Sequence, residues 1–403
     1  MDIKIKPSAL CGSLSIPPSK SVSHRMLICT AFCEGESVIN DLLECEDIEA
    51  MSGALRALGA EIDGADGCYR VRGITSPSKS AVIDCKESGS ALRFLIPIAA
   101  ALGCETEFIG SGRLPERPIT PIIEPMRDNG ITFISETYPY KISGKLRPGT
   151  YRIDGSMSSQ FITGLLFALS ILNGDSEIVL TSPLQSKPYV DITVDCMRQF
   201  GVEVTEKENT YYVKGGQKYI PHTLSVEADM SQCAFFAVAD CIGSDIKLDN
   251  LNLNSVQGDK AILDITERFK NGEPIDHIDA TDIPDLVPIL TVLMCFGKVP
   301  CRITGCARLR IKECDRLEAI TDVLNALGGK VKAYDDMIEV TPVTELEGGT
   351  VEFYNDHRIA MAGAIAATRC KNEVIIKGAQ CVAKSYPKFF DDYRMLGGNA
   401  DVI

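Results

Sequence analysis

Six times along the chain an amphipathic helical segment stops at a glycine, and the stops are nearly evenly spaced. The segments are Gly53–Ile62, Glu124–Phe133, Asp195–Val204, Ile265–Gly272, Asp322–Val331 and Asp392–Gly397. Their glycines, Gly59, Gly130, Gly201, Gly272, Gly328 and Gly397, are 71, 71, 71, 56 and 69 residues apart. Glycine ends a helix because it enters the left-handed conformation without a Cβ penalty. A fixed period of such ends means that one supersecondary unit is repeated.

A second helix class runs in phase with the first: Ser19–Glu34, Ser88–Leu102, Ser156–Asn173, Asp229–Ile242, Ile283–Phe296 and Asn355–Arg369. These are apolar nearly all round, so they are expected to be buried. Each begins in a polar cluster, which must be the end that reaches solvent or a ligand. Short β-rich segments at 37–40, 81–84, 105–109, 177–180, 299–303 and 373–377 link the two classes. Each unit therefore reads as helix, strand, helix, strand, strand. Three units per half predict two similar α/β domains, with crossings at Ile16-Pro17-Pro18, where proline stiffens the chain, and in the loop Gly215–Val226. The domains would be residues 18–224 and residues 1–17 plus 225–403.

A chain of 403 residues with 45% hydrophobic content can bury two such cores. The start, Met1-Asp2-Ile3-Lys4-Ile5-Lys6, has no apolar core of signal-peptide length, and the apolar stretches 95–103 and 286–296 are too short to span a bilayer. Sixteen cysteines without a Cys-x-x-Cys pair or a Cys/His cluster point to reduced thiols in a cytosol, with neither disulfides nor zinc. The net charge of −14 argues against nucleic acid, whose phosphates need a cationic surface.

The motifs, however, are cationic. Pro18-Ser19-Lys20-Ser21-Val22-Ser23-His24-Arg25 opens the first buried helix with three hydroxyls and two cations a turn apart. A plain cap needs one hydroxyl; this set is the make-up of an anion site. Glu87-Ser88-Gly89-Ser90-Ala91-Leu92-Arg93 holds the same phase of the repeat, and Gly89 permits close approach of a ligand. Gly112-Arg113-Leu114-Pro115-Glu116-Arg117-Pro118 presents two arginines between prolines, suited to a carboxylate or phosphate or, more plainly, to a surface ion pair. Gly155-Ser156-Met157-Ser158-Ser159-Gln160 and Ser186-Lys187-Pro188-Tyr189 add hydroxyls and an amide.

The second half carries acids: Asp282-Ile283-Pro284-Asp285, Arg310-Ile311-Lys312-Glu313-Cys314-Asp315-Arg316, Asn355-Asp356-His357-Arg358 and Ala383-Lys384-Ser385-Tyr386-Pro387. Taken singly these read as a cap, a solvated charge run or a turn. Jointly they place cations at the starts of buried helices through an acidic chain, which calls for one concentrated cleft. Two carboxylates within it, Asp285 and Glu313, are unnecessary for binding an anion and necessary for acid–base chemistry on one.

These motifs, in this order, resemble the EPSP synthase (3-phosphoshikimate 1-carboxyvinyltransferase) family along nearly the whole chain: Ser19-Lys20-Ser21-x-Ser23-x-Arg25, Gly89-Ser90-Ala91-x-Arg93, Arg113-x-x-Glu116-Arg117-Pro118-Ile119, Ser158-Ser159-Gln160-Phe161, Ser186-Lys187-Pro188-Tyr189, Ile283-Pro284-Asp285, Lys312-Glu313-x-Asp315-Arg316-Leu317, Asp356-His357-Arg358 and Lys384-x-x-Pro387. The resemblance implies an inside-out α/β barrel architecture of two three-repeat domains with the site in the cleft between them. It implies transfer of the enolpyruvyl group of phosphoenolpyruvate to the 5-hydroxyl of shikimate 3-phosphate, on the route to chorismate and the aromatic amino acids. Shikimate 3-phosphate would be held by Lys20, Ser21, Arg25, Ser158, Ser159, Gln160, Ser186, Asp285 and Lys312. Phosphoenolpyruvate would be held by Lys20, Gly89, Arg117, Gln160, Arg316, Arg358 and Lys384. Asp285 is expected as the base at the hydroxyl and Glu313 in proton traffic at C3, with Lys20 and Lys384 as helpers. No cofactor, metal, nucleic acid or membrane is implied; a cytoplasmic monomer acting on small anions, and a target of glyphosate, is.

The sequence departs from the family pattern at His24, often Asn, at Ser90, often Thr, at Phe94, often Pro, and at Arg308-Leu309. Gly89 is expected to leave room beside the phosphoenolpyruvate site. The sister enolpyruvyl transferase acting on UDP-N-acetylglucosamine usually has Lys-Asn in the first motif and a reactive cysteine in the arginine loop. Here Lys20-Ser21 and a cysteine-free 113–118 stand instead. An RNA 3′-phosphate cyclase should be more basic and carry a nucleotidylated His, and a non-catalytic anion binder leaves the paired acids unexplained.

Overall fold

The computed structural model describes all of residues 1–403. The chain divides into two compact units, Pro18–Glu227 and Met1–Pro17 with Ala228–Ile403.

The glycines end their helices as the repeat requires. Glu46–Leu58 stops at Gly59, whose φ of 115° lies in the region closed to most side chains. Thr120–Asp128, Lys187–Gln199, Ala261–Lys270, Arg316–Ala326 and Phe389–Met395 occupy the same phase. The apolar class forms Lys20–Ala31, Gly89–Leu102 and Ser159–Ser170 in one unit, and Met230–Cys241, Val287–Met294 and His357–Ala367 in the other. Nearly every residue of these six is buried, so they form the cores and the sheets wrap them. Gly164 allows a close approach of two of them: a Cβ there would meet the Arg93 carbonyl oxygen at 2.6 Å.

Five of the six repeats have six elements, not the five read from the sequence. A short strand precedes the buried helix, as in Ser80–Asp84, Gly89–Leu102, Glu105–Ile109, Thr120–Asp128, Ile131–Ser135 and Tyr140–Gly144. The first two strands pair in parallel and the last two form a hairpin, giving a four-stranded sheet. Leading strands such as Thr150–Ile153, Thr223–Ser225 and His277–Asp279 are only three or four residues long, too short for an alternating pattern to register.

The crossings exchange leading strands. Thr223–Ser225 pairs with Val38–Asn40 and so belongs to the repeat of Lys20–Ala31, while Cys11–Ser15 pairs with Asp245–Asp249 beside Met230–Cys241. The compact unit therefore runs to Glu227 and not to 224. The repeat ending at Gly272 has only that two-stranded sheet. It lacks a hairpin, which is why the next glycine follows after 56 residues and not 71.

All sixteen cysteines are free thiols, and no helix is long and apolar enough to cross a membrane.

Candidate functional site

The residues singled out from the sequence fall into two sets, one in each compact unit, and most stand at helix starts. In Pro18–Glu227 the three buried helices are capped by hydroxyls. Ser19 accepts from the Val22 N–H at 3.4 Å, Ser88 from Ala91 at 3.2 Å and Ser158 from Gln160 at 3.3 Å. Neutral caps leave the partial positive charge of each helix start in place.

Beside them Arg25 is held by backbone and hydroxyl oxygens alone. Arg25, buried, gives Nε to Thr193 Oγ1 at 2.8 Å, one Nη to the Ser21 carbonyl at 2.7 Å and the other to the Tyr189 carbonyl at 2.7 Å. Its guanidinium also lies 5.2 Å from the Phe94 ring centroid. Burial draws it down to about 10, so it stays cationic at neutral pH. Burial, then the Lys20 and Arg25 charges, hold the neighbouring His24 well below its ordinary value; it is a neutral ring set edge-on against Phe94. Two departures from the family pattern thus pack on one another.

Gln160 sits between Arg93, whose Nη1 donates to Oε1 at 2.8 Å, and Ser90, whose Oγ receives Nε2 at 3.0 Å. Lys20 pairs with Asp47 at 2.9 Å. Of the two loop arginines only Arg117 turns inward. Arg113 forms an exposed pair with Glu116 at 3.1 Å. The Arg117 guanidinium lies flat over Gly89, where a Cβ would meet its Cζ and both terminal nitrogens at 2.7 Å. The expected room beside Gly89 is therefore occupied, by Arg117. Ser186 is buried at a φ of 56° at the start of Lys187–Gln199, while Lys187 is taken up by Asp191 and Glu206.

The other unit is built the opposite way. Three of its helix starts are capped by carboxylates, Asp229 on Met230–Cys241, Asp315 on Arg316–Ala326 and Asp356 on His357–Ala367, while Val287–Met294 has no side-chain cap. Helix charge is neutralised internally, and affinity for an anion must come from side chains. Arg316, 2% exposed, is ringed by three carboxylates: Nε to Asp356 Oδ2 at 2.7 Å, Nη1 to Asp285 Oδ1 at 3.0 Å and Nη2 to Glu313 Oε2 at 2.8 Å. Arg358 gives Nη2 to the other oxygen of Asp285 at 2.8 Å and to Ser231 Oγ at 3.1 Å. Burial would raise the Asp285 pKa, but Arg358, Lys312 and Arg316 outweigh it and hold the carboxyl well below the usual carboxylate range. Burial would lower Arg316, and Asp356, Glu313 and Asp285 reverse that. Lys384, also buried, donates to the Asn355 carbonyl at 2.7 Å.

Asp285, Glu313, Arg316 and Arg358 are thus one hydrogen-bonded cluster, and Lys384 lies in the same unit. Sequence reasoning missed Asp47, Asp229 and Ser231 as members of these sets, and took Asp356 only as part of a motif. The helix-start position of Asp229 and Ser231 was the available signal.

The family model described as EPSP synthase (3-phosphoshikimate 1-carboxyvinyltransferase) matches residues 5–393. The chain is 44% identical to a 3-phosphoshikimate 1-carboxyvinyltransferase of Clostridium perfringens, covering 98% of each. It is 41% identical to that of Clostridium acetobutylicum, over 98% of this chain and 97% of the other. Among solved structures it is similar to the EPSP synthase of Acinetobacter baumannii, with a TM-score of 0.83 and 25% identity over the full length of both chains.

Proposed function

The chain belongs to the EPSP synthase family, and from that premise we propose how its two sets of residues divide the work of moving an enolpyruvyl group from phosphoenolpyruvate to shikimate 3-phosphate. The hydroxyl-capped helix starts, with Lys20, Ser21, Arg25, Ser158, Ser159, Gln160 and Ser186, hold shikimate 3-phosphate; Asp285 and Lys312 complete its contacts. Phosphoenolpyruvate takes Lys20, Gln160 and Arg117 over Gly89, together with Arg316, Arg358 and Lys384.

The observation that carries this reading is the place of Asp285, its two oxygens shared between Arg316 and Arg358. An arriving phosphoenolpyruvate anion competes for those guanidiniums. Asp285 then loses the charges that depress its basicity and becomes able to take a proton from the 5-hydroxyl. That oxygen attacks C2 of phosphoenolpyruvate while C3 gains a proton, giving a tetrahedral intermediate. Loss of phosphate and of one C3 proton completes the transfer, with Glu313 handling the proton at C3. Convergent cations stabilise the charge carried by both substrates and the intermediate.

Phosphate release from phosphoenolpyruvate tests the assignment. It is expected with shikimate 3-phosphate as acceptor and absent with UDP-N-acetylglucosamine; the reverse preference would sink it.

Gly89→Ala supplies a second test. The added methyl must displace the Arg117 guanidinium, the distal end of a side chain, so the fold should survive. Losing one charge-assisted hydrogen bond raises the KM for phosphoenolpyruvate about tenfold. Inhibition by glyphosate, a longer molecule with less slack, should weaken by a larger factor. Equal factors would show that the methyl acts through Arg117 alone.

A further inference from the structure

The start of Met230–Cys241 touches one cationic side chain, Arg358, and the residue next to another, Lys384. Asp229 accepts from the Ser231 N–H at 2.9 Å and the Gln232 N–H at 3.0 Å. The Ser231 hydroxyl donates to Asp229 Oδ1 at 2.7 Å and accepts from Arg358. Gln232, the next residue, is 1% exposed. Its Nε2 donates to Ser385 Oγ at 3.2 Å, and Ser385 is itself wholly buried. The Gln232 Oε1 atom, shut away from solvent, receives no hydrogen bond.

A buried amide oxygen left empty costs about 1–3 kcal/mol, and an apolar side chain of the same length would avoid that cost. Such an atom makes physical sense where another state of the molecule fills it. The segment that Gln232 touches supplies a donor: Lys384 is bonded in sequence to Ser385. Its ammonium carries three N–H groups, one of them on the carbonyl of Asn355. Asn355 is a non-glycine residue at a φ of 55°, following Tyr354 at 52°. This acceptor therefore sits on locally strained backbone.

We propose that Gln232 is the positioning residue for Lys384: its amide clamps the Lys384–Ser385 segment through Ser385 Oγ, and its Oε1 takes an N–H of Lys384 when phosphoenolpyruvate is bound. The inference rests on the reading of Lys384 as a phosphoenolpyruvate ligand and adds a residue that this reading does not contain. Ser231 and Gln232 then act as neighbours on one helix turn, the first aiming Arg358 and the second aiming Lys384. The anion meets two cations whose directions are set by a single capped helix start.

The test is a double-mutant cycle on the full chain, with KM for each substrate and the thermal midpoint measured. Gln232→Met keeps length and removes the acceptor. It is expected to raise KM for phosphoenolpyruvate about tenfold, the worth of one hydrogen bond to a charged group, with KM for shikimate 3-phosphate changed less than about twofold. In a Lys384→Met background the same change should add less than about twofold, because the partner is gone. Gln232→Glu, which restores an acceptor oxygen, should recover most of the loss. Should Gln232→Met fail to fold, Ser385→Ala breaks the clamp instead and must likewise lose its effect when Lys384 is Met. Additive effects, or equal rises in both KM values, overturn the proposal. If Lys384→Met leaves KM for phosphoenolpyruvate unchanged, the Lys384 reading falls and this inference with it. If Lys384→Met raises it and Gln232→Met does not, this inference alone falls.

Discussion

Asp285→Asn is expected to lower kcat by about 10²-fold or more, the scale of a lost general base, while leaving the protein folded. Asn keeps a carbonyl oxygen for Arg316 or Arg358 but cannot take the hydroxyl proton. The split between kcat and KM distinguishes this from a simple binding defect, which would raise KM and spare kcat. In the unliganded protein the Asp285 carboxyl lies well below its ordinary value, because Arg358, Lys312 and Arg316 together overcome the effect of burial. A depressed folded pKa contributes stability above the unfolded value of about 3.9, lost only as pH falls through the lower folded value. Asp285 is therefore ionised throughout the working range and does not set the acid limb of kcat/KM. The variant should run parallel to the native protein from about pH 5 to 9. A kcat within threefold of native would remove Asp285 from the role of base, whereas an acid limb of kcat/KM that vanishes in the variant would show that its carboxyl is held less far down than Arg358, Lys312 and Arg316 imply.

Asp356→Ala should have the largest effect on stability. Asp356 is fully buried, accepts from the Arg358 N–H at 2.8 Å and pairs with Arg316 Nε at 2.7 Å. Removing one partner of a buried ion pair costs about 3–5 kcal/mol, and loss of the helix cap is included in that range. For a unit of this size the loss corresponds to a fall of about 6–20 °C in the unfolding midpoint. Asp356→Asn should lose much less, since an amide oxygen still caps the helix. A midpoint shift in Asp356→Ala smaller than about 2 °C would show that Asp285 and Glu313 alone satisfy Arg316.

Local chemistry made much of this legible in the sequence. Helix stops at glycine and polar helix starts are set by a few neighbouring residues, so Gly59 or Ser19 announces its role within one turn. The enolpyruvyl transferase motifs are likewise contiguous. What escaped was non-local. Arg316 finds Asp285 and Asp356 across 31 and 40 positions of chain, and Lys20 finds Asp47 across 27. Nothing near Gly89 indicates that Arg117 will lie on it. Of the leading strands only Ser80–Asp84 was read, as 81–84; those of three or four residues carry too little periodicity. The absent hairpin after Gly272 was present in the spacing as an interval of 56, yet an interval alone does not say which element is gone. His24 and Phe94 were noted separately, and only packing reveals them as one contact.

The split of one compact unit into residues 1–17 and 228–403 has a consequence for how the chain is made. Ile3–Lys6 is an inner strand, hydrogen-bonded on one side to Val374–Ile376 and on the other to Asn399–Val402. It leaves the ribosome about 370 residues ahead of its partners, a wait of about 20–75 s at ordinary rates of synthesis. Pro18–Glu227, in contrast, has all its sheet partners within itself and can close as soon as it has emerged. The order of assembly is thereby fixed: the inserted unit comes first, and the enclosing one is completed only when the last strand arrives. Until then Ile3 and Ile5, both buried in the finished protein, are available to a chaperone, and their apolar surface makes this interval the time of greatest exposure to aggregation.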